Sequence, residues 1–211
     1  MTEKTFVKKL ENIFITEGFL TKKEIGAGYG VADLVLVKLS PKQCTVRIRN
    51  KQFKPLLNEQ YFKIFQYLPE EIEGKPANLE YLVEQTNLSK SFLKYTLLAR
   101  LEKDGYIKKT KDDFYFRING WMPIAKEIIA IEAKLKNWKR GFEQANRYKS
   151  FANKVYLAVP LEISHLVDRS LLKAHNVGLI VFDPKHNIKK ATHIKRVEPL
   201  SICKYNLVPE F

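Results

Sequence analysis

The sequence predicts an α/β protein in which one kind of grammar opens and closes the chain and another kind interrupts it. Residues 121 to 183 alternate apolar strand candidates with helix-length stretches, the pattern of crossover connections and a largely parallel sheet. Residues 20 to 49 use a strand vocabulary around a glycine-rich turn, after a helical start. Residues 56 to 118 instead read as three helices and a small hairpin. The expected organisation is one discontinuous domain, 1 to 54 and 121 to 211, with 55 to 120 inserted into it.

The elements follow in order. Residues 2 to 15 form a helix, with Thr2 as N-cap and Phe6, Leu10, Ile13 and Phe14 on one face. Gly26, Gly28 and Gly30 permit a tight turn before the run Ala32 to Val37, and "CTVRIR" at 44 to 49 reads as a further strand. "LLNEQYFKIFQYL", "NLEYLVEQTN" and "SKSFLKYTLLARLEKDG" supply three helices, and "YIKKTKDDFYFRI" folds back about its Lys-Asp-Asp turn. This order predicts a winged helix-turn-helix. Strand "EIIAIEAKL", helix "KRGFEQANRYKSFAN", strand "KVYLAVP", helix "EISHLVDRSLLKAHN" and strand "VGLIVFD" then alternate; 189 to 211 is basic and then irregular.

Lys and Arg outnumber Asp and Glu by 37 to 23, a formal charge of +14 that attracts polyanions such as nucleic acid. The insert carries little of it: residues 51 to 120 hold 12 cations against 10 acids, the rest of the chain 25 against 13. No apolar run is long enough to cross a bilayer, so a membrane is not an expected partner. The charged "TEKTFVKKLENIF" after Met1 lacks the apolar core of a secretory signal, and Cys44 and Cys203 are too few for a disulfide framework. A reducing, cytoplasmic setting is the expectation.

The chemistry concentrates where a strand enters the core. On a strand, residues two apart share a face, so Glu132 and Lys134 emerge together while Ile131, Ala133 and Leu135 take the opposite side. A carboxylate there is costly to bury unless a positive partner satisfies it, and a divalent cation shared with a second carboxylate would do so. Asp33, inside the apolar run "VADLVLV", is that second acid. Asp33 and Glu132 would hold Mg²⁺ or Mn²⁺, and Lys134 would steady an attacking water or the developing charge of phosphodiester cleavage. The bland reading of Glu132 and Lys134 is a wet edge-strand ion pair, usually worth little.

Asp33, then Glu132-Ala133-Lys134, then a helix carrying Gln144-Ala145-Asn146-Arg147-Tyr148 resembles the PD-(D/E)XK nuclease superfamily, in particular its RecB-type members with a Gln-x-x-x-Tyr motif. The likeness covers residues 1 to 50 and 121 to 183. It implies a restriction-endonuclease-like αβββαβ core and a metal-dependent deoxyribonuclease. It also implies metal ligands at Asp33 and Glu132, a catalytic lysine at Lys134, and support from Gln144 and Tyr148, which lie on one helix face. Members often add an acid from the first helix, a role that falls to Glu11, with Glu17 and Glu24 as competitors. The family proline before the first acid is absent, since Val31-Ala32 precede Asp33, and the cysteines of the iron-sulfur branch are missing.

In the insert, Leu93, Leu97, Leu98 and Leu101 should face the core and leave Lys90, Ser91, Lys94 and Tyr95 towards a DNA groove. Lys139 and Arg140 are candidate phosphate contacts beside Trp138. His165, His175, His186 and His193 show no metal-ligand spacing. The expected function is DNA cleavage, or, as the alternative, DNA binding by a regulator that keeps the scaffold without cutting. A homodimer would supply two sites for the two strands of a duplex, although the sequence carries no interface signal.

Overall fold

The protein is described here by a computed structural model covering residues 1–26, 30–54, 56, 58–118 and 123–183, with the backbone of 194–197. It is mixed α/β. In chain order the elements are α1 (Glu3–Thr16), β1 (Leu20–Gly26), β2 (Val31–Leu39), α2 (Pro41–Arg49), α3 (Glu59–Tyr67), β3 (Ala77–Asn78), α4 (Leu79–Thr86), α5 (Lys90–Phe92) and α6 (Ala99–Lys103). There follow β4 (Ile107–Lys109), β5 (Phe114–Arg117), β6 (Ala125–Ala133), α7 (Trp138–Arg147), β7 (Lys154–Pro160), α8 (Arg169–Ala174), β8 (Gly178–Phe182) and β9 (Ile194–Val197). They divide into two compact units, Met1–Leu39 with Ala125–Phe211, and Ser40–Ile124.

The first unit is built on a six-stranded sheet ordered β1-β2-β6-β7-β8-β9. β2 runs antiparallel to both of its neighbours, β1 and β6; β6, β7 and β8 are parallel, and β9 returns antiparallel to β8. Helix α1 forms because Thr2 accepts the Thr5 N–H at 3.2 Å and Phe6, Leu10, Ile13 and Phe14 recur on one face. That face packs on Leu34, Leu36, Ile129, Ile131 and Phe182. The other side of the sheet, through Val35, Val37, Ile128 and Ala130, packs on Ala145 and Tyr148 of the α7 region and Leu172 of α8. Alternation along β6 thus assigns Glu132 to the α7 side and Ala133 to the α1 side. Because β2 and β6 pair directly, from Leu34 with Ile131 to Leu39 with Ala125, the insert stands where a hairpin turn would join them.

Expectation and structure part at three places in this chain. The stretch 44 to 49, read as a strand from its β-branched alternation, lies in helix α2: Ser40 caps the Gln43 N–H and Pro41 occupies the first turn, where its missing N–H costs nothing. The inserted unit accordingly begins at Ser40, not 55, and ends at Ile124, not 120. The single helix expected over 162 to 176 is instead a 3₁₀ turn, Leu161–Leu166, and α8, because Asp168 accepts the Leu171 N–H and starts a new helix. From the expected irregular tail, 194 to 197 form β9; the rest of it, with Gly28, His186, His193 and Cys203, lies outside the described residues.

In the second unit Leu93, Leu97, Leu98 and Leu101 are buried as expected, with Ile64, Leu82, Tyr106 and Tyr115. The helical path from α5 to α6 widens into a π-turn over Leu93–Leu98. Strands β3, β5 and β4 make a three-stranded antiparallel sheet. A polar knot ties α2 into this unit. Arg47, buried, donates to the Gln52 carbonyl at 3.0 and 3.2 Å and approaches the Tyr106 hydroxyl at 3.3 Å, while Gln52 donates to the Gly105 carbonyl at 3.0 Å. Gly105 has φ +74°, and a Cβ there would stand 2.6 Å from the Asn50 carbonyl oxygen. Gly105→Ala should therefore destabilise this unit by about 2 kcal/mol, strain and clash together, read as a lowered urea midpoint.

Candidate active site

Two stretches of chain, far apart in sequence, bring Asp33 of β2 together with Glu132 and Lys134 at the carboxyl end of β6. Asp33 on β2 accepts the Ala133 N–H at 2.8 Å. Lys134 follows β6, its own N–H held by the Ala158 carbonyl of β7 at 2.9 Å, so its backbone continues the sheet. Its Nζ donates to Glu132 Oε1 at 2.6 Å and stands 3.9 Å from Asp33 Oδ2. The Tyr148 hydroxyl, at the end of α7, stands 2.6 Å from Glu132 Oε2 and 2.7 Å from the Val31 carbonyl, two acceptors that share its one proton. Glu132 is 1% exposed, and each of its carboxylate oxygens accepts one of these bonds, which leaves each a second lone pair.

The acid that α1 contributes is not Glu11. Glu11 accepts from Thr21 at 3.1 Å and Lys23 at 2.7 Å, both on β1. Glu3, in the first turn, instead accepts the Leu135 N–H at 3.3 Å and lies 3.7 Å from Lys134 Nζ. Sequence reasoning passed over Glu3 because an acid just after an N-cap is ordinarily explained by the helix dipole. It also passed over Gly141, which meets the Lys134 side chain directly.

Three carboxyl groups thus face one ammonium. Burial pushes the Asp33 carboxyl above the ordinary carboxylate range, against the Ala133 N–H and the Lys134 charge that pull it down. Burial likewise raises Glu132; its bonds from Lys134 and Tyr148 oppose this, and the neighbouring Asp33 charge adds to it. Burial disfavours the Lys134 ammonium, but the Glu132 hydrogen bond and the surrounding acids prevail, so it stays protonated well past neutrality. Tyr148 is pushed far above the usual phenol range by burial and by Glu132, and it remains a donor. With all groups ionised the cluster is short of positive charge, which a divalent cation would supply.

Among the described residues no three His, Cys, Asp or Glu side chains stand close enough to cage a metal by themselves. The donor set still fits Mg²⁺ or Mn²⁺: Mg²⁺ is usually held by one or two carboxylates together with waters and substrate phosphate, and Asp33 and Glu132 are such a pair. Asn137, Lys139, Arg140, Glu143, Gln144 and Arg147 line an open groove along α7. Asn137 caps α7 by accepting the Arg140 N–H at 3.2 Å, and Lys139 lies over the Trp138 ring at 6.0 Å. Gln144 Oε1 is buried without a hydrogen-bond partner among the described residues.

Of the DNA-contact candidates of the second unit, Lys90, Ser91 and Tyr95 are exposed and Lys94 is half-buried, and both lysines are engaged. Lys90 pairs with Glu80 at 2.7 Å, and Lys94 with Asp113 at 3.0 Å, an acid that Lys109 also holds. Tyr95 is 73% exposed, and Ser91 is exposed too. No helix among the described residues is long and apolar enough to cross a membrane. No protein-family model, curated protein or solved structure matches the chain.

The raised carboxyl values carry a stability sign. An acid whose pKa is higher folded than unfolded favours the fold when neutral, and that favour is lost as pH rises past the folded value. Asp33→Asn, neutral throughout, should therefore raise the melting temperature at pH 7 without divalent ions. The gap should close below the ordinary carboxylate pKa, which thermal scans across pH will show.

Proposed function

We propose that the chain is a Mg²⁺- or Mn²⁺-dependent DNA nuclease of the PD-(D/E)XK type, RecB-like in its Gln-x-x-x-Tyr helix. In this reading the first unit is the restriction-endonuclease-like core and the second is a winged helix-turn-helix that helps hold DNA. The observation that carries it is the Asp33–Glu132–Lys134 cluster, in which a buried glutamate, a second carboxylate and a protonated lysine share one small volume. The order α1, β1, β2, β6, α7, β7 supports it, since the acids fall on the second and third strands of an αβββαβ series.

When bound, the cation polarises the scissile phosphate and lowers the pKa of an attacking water. Asp33 and Glu132 offer the ligand oxygens, and Tyr148 fixes the Glu132 rotamer. Lys134, always charged, stabilises the negative charge that grows as the water oxygen bonds to phosphorus and the ester P–O bond breaks. The attacking water gives up its proton to solvent, and the leaving alkoxide takes one from solvent. Glu3 replaces Glu11 as the acid supplied by α1. Lys139 and Arg140 meet the phosphate backbone from the α7 groove. Because Lys90 and Lys94 are already paired, the second unit adds less electrostatic attraction than the first.

Cleavage of duplex, branched and single-stranded DNA with Mg²⁺ or Mn²⁺ tests the reading. Lys134→Ala should lower kcat by roughly 10²- to 10³-fold, and Asp33→Ala and Glu132→Ala should abolish cutting with the fold intact. Activity should fall as pH drops through a window above the ordinary carboxylate range, because the raised groups must be ionised to bind metal. If wild-type protein leaves every substrate whole while binding DNA in a salt-sensitive, metal-independent way, the chain is a non-cleaving binder instead. On either outcome, Lys139→Ala and Arg140→Ala should each reduce the salt slope of DNA binding by about one, and Lys90→Ala and Lys94→Ala by less.

A further inference from the structure

Gly141 lies in the second turn of α7, on the buried face it shares with Ala145 and Tyr148. A Cβ built there would stand 2.6 Å from Lys134 Cγ and 2.7 Å from Leu157 Cδ1, with Lys134 Cβ at 3.5 Å. Both distances are well inside van der Waals contact. Neither neighbour yields easily. Leu157 is fully buried on β7, and Cγ is the root of the lysine stem, tied to a backbone that Ala158 holds from the adjacent strand. The bare face of α7 therefore forms one wall of the channel through which the Lys134 stem runs, and only 12% of that side chain is exposed.

We propose that Gly141 is a positioning residue for Lys134: the absence of a side chain at 141 sets where the ammonium stands relative to Glu132 and Asp33. This rests on the nuclease reading for its kinetic consequence, though not for its geometry. A methyl group at 141 displaces the stem at its root, and displacement there is carried to Nζ, now 2.6 Å from Glu132 Oε1 and 3.9 Å from Asp33 Oδ2. Glycine inside a helix is ordinarily unfavourable. Its use at the point where α7 crosses Lys134 is explained by close approach rather than by helix formation.

The test compares wild type, Gly141→Ala, Leu157→Ala and the Gly141→Ala/Leu157→Ala pair, each with a thermal melt. Two readouts are taken: kcat and KM for DNA cleavage with Mg²⁺, and the rate at which an acylating reagent modifies Lys134, followed by mass spectrometry. Gly141→Ala should lower kcat by about 100-fold with KM nearly unchanged, the effect of misplacing a catalytic group by about an ångström. It should also speed Lys134 acylation, because the ammonium leaves its enclosed seat. If the single variant does not fold, the pair is compared with Leu157→Ala alone, since the leucine contact is then gone and the lysine contact remains. Unchanged kcat and unchanged acylation in whichever comparison folds overturn the proposal. If wild type does not cut DNA, the nuclease reading falls, and the acylation rate alone decides for or against Gly141.

Discussion

A carboxylate sealed inside the sheet is the constraint around which the first unit is arranged. Glu132 is 1% exposed, and a buried charge is tolerated only when partners satisfy it. Each partner comes from a different source: the Lys134 ammonium from the end of the same strand, the Tyr148 hydroxyl from the end of α7. Tyr148 also reaches the Val31 carbonyl at the start of β2, two residues before Asp33. The same phenol thereby fixes the glutamate and the strand that presents the second acid. Removing one member leaves the others partly unsatisfied, which is why such groups are expensive unless they serve a purpose.

The sheet order explains how so few residues suffice. β6 sits between an antiparallel neighbour, β2, and a parallel one, β7, so its carboxyl end is where the two styles of pairing meet and a crossover helix must leave. Crevices at the carboxyl ends of strands, beside such a change in order, are common ligand sites in open α/β sheets. The insert between β2 and β6 does not disturb this, because those strands pair continuously from Leu34–Ile131 towards Leu39–Ala125 with one irregularity at Lys38 and Leu39.

Much of this was legible in the sequence because it obeys local periods. The two-residue alternation of β6 put Glu132 and Lys134 on one face, and the four-residue spacing of Gln144 and Tyr148 put them on one side of α7. The period failed at 44 to 49, where Ser40 and Pro41 start a helix whatever the β-branched residues suggest. Glu3 was illegible for another reason: its partner, the Leu135 N–H, is 132 residues away, and nothing local in the first turn of α1 distinguishes it from a dipole-stabilising acid. Gly141 was illegible because its meaning is the missing volume against Lys134, a fact of packing and not of pattern. The engagement of Lys90 with Glu80 likewise depends on how α4 meets α5.

The central claim is that Asp33 and Glu132 form a seat for a divalent cation. Crystals grown or soaked with Mn²⁺ and examined by anomalous scattering address it most directly. The account predicts a peak at ligand distance from a carboxylate oxygen of each, lost in crystals of Glu132→Ala. Well-ordered crystals that show the Lys134–Glu132 pair undisturbed, with no peak there at saturating Mn²⁺, would contradict it.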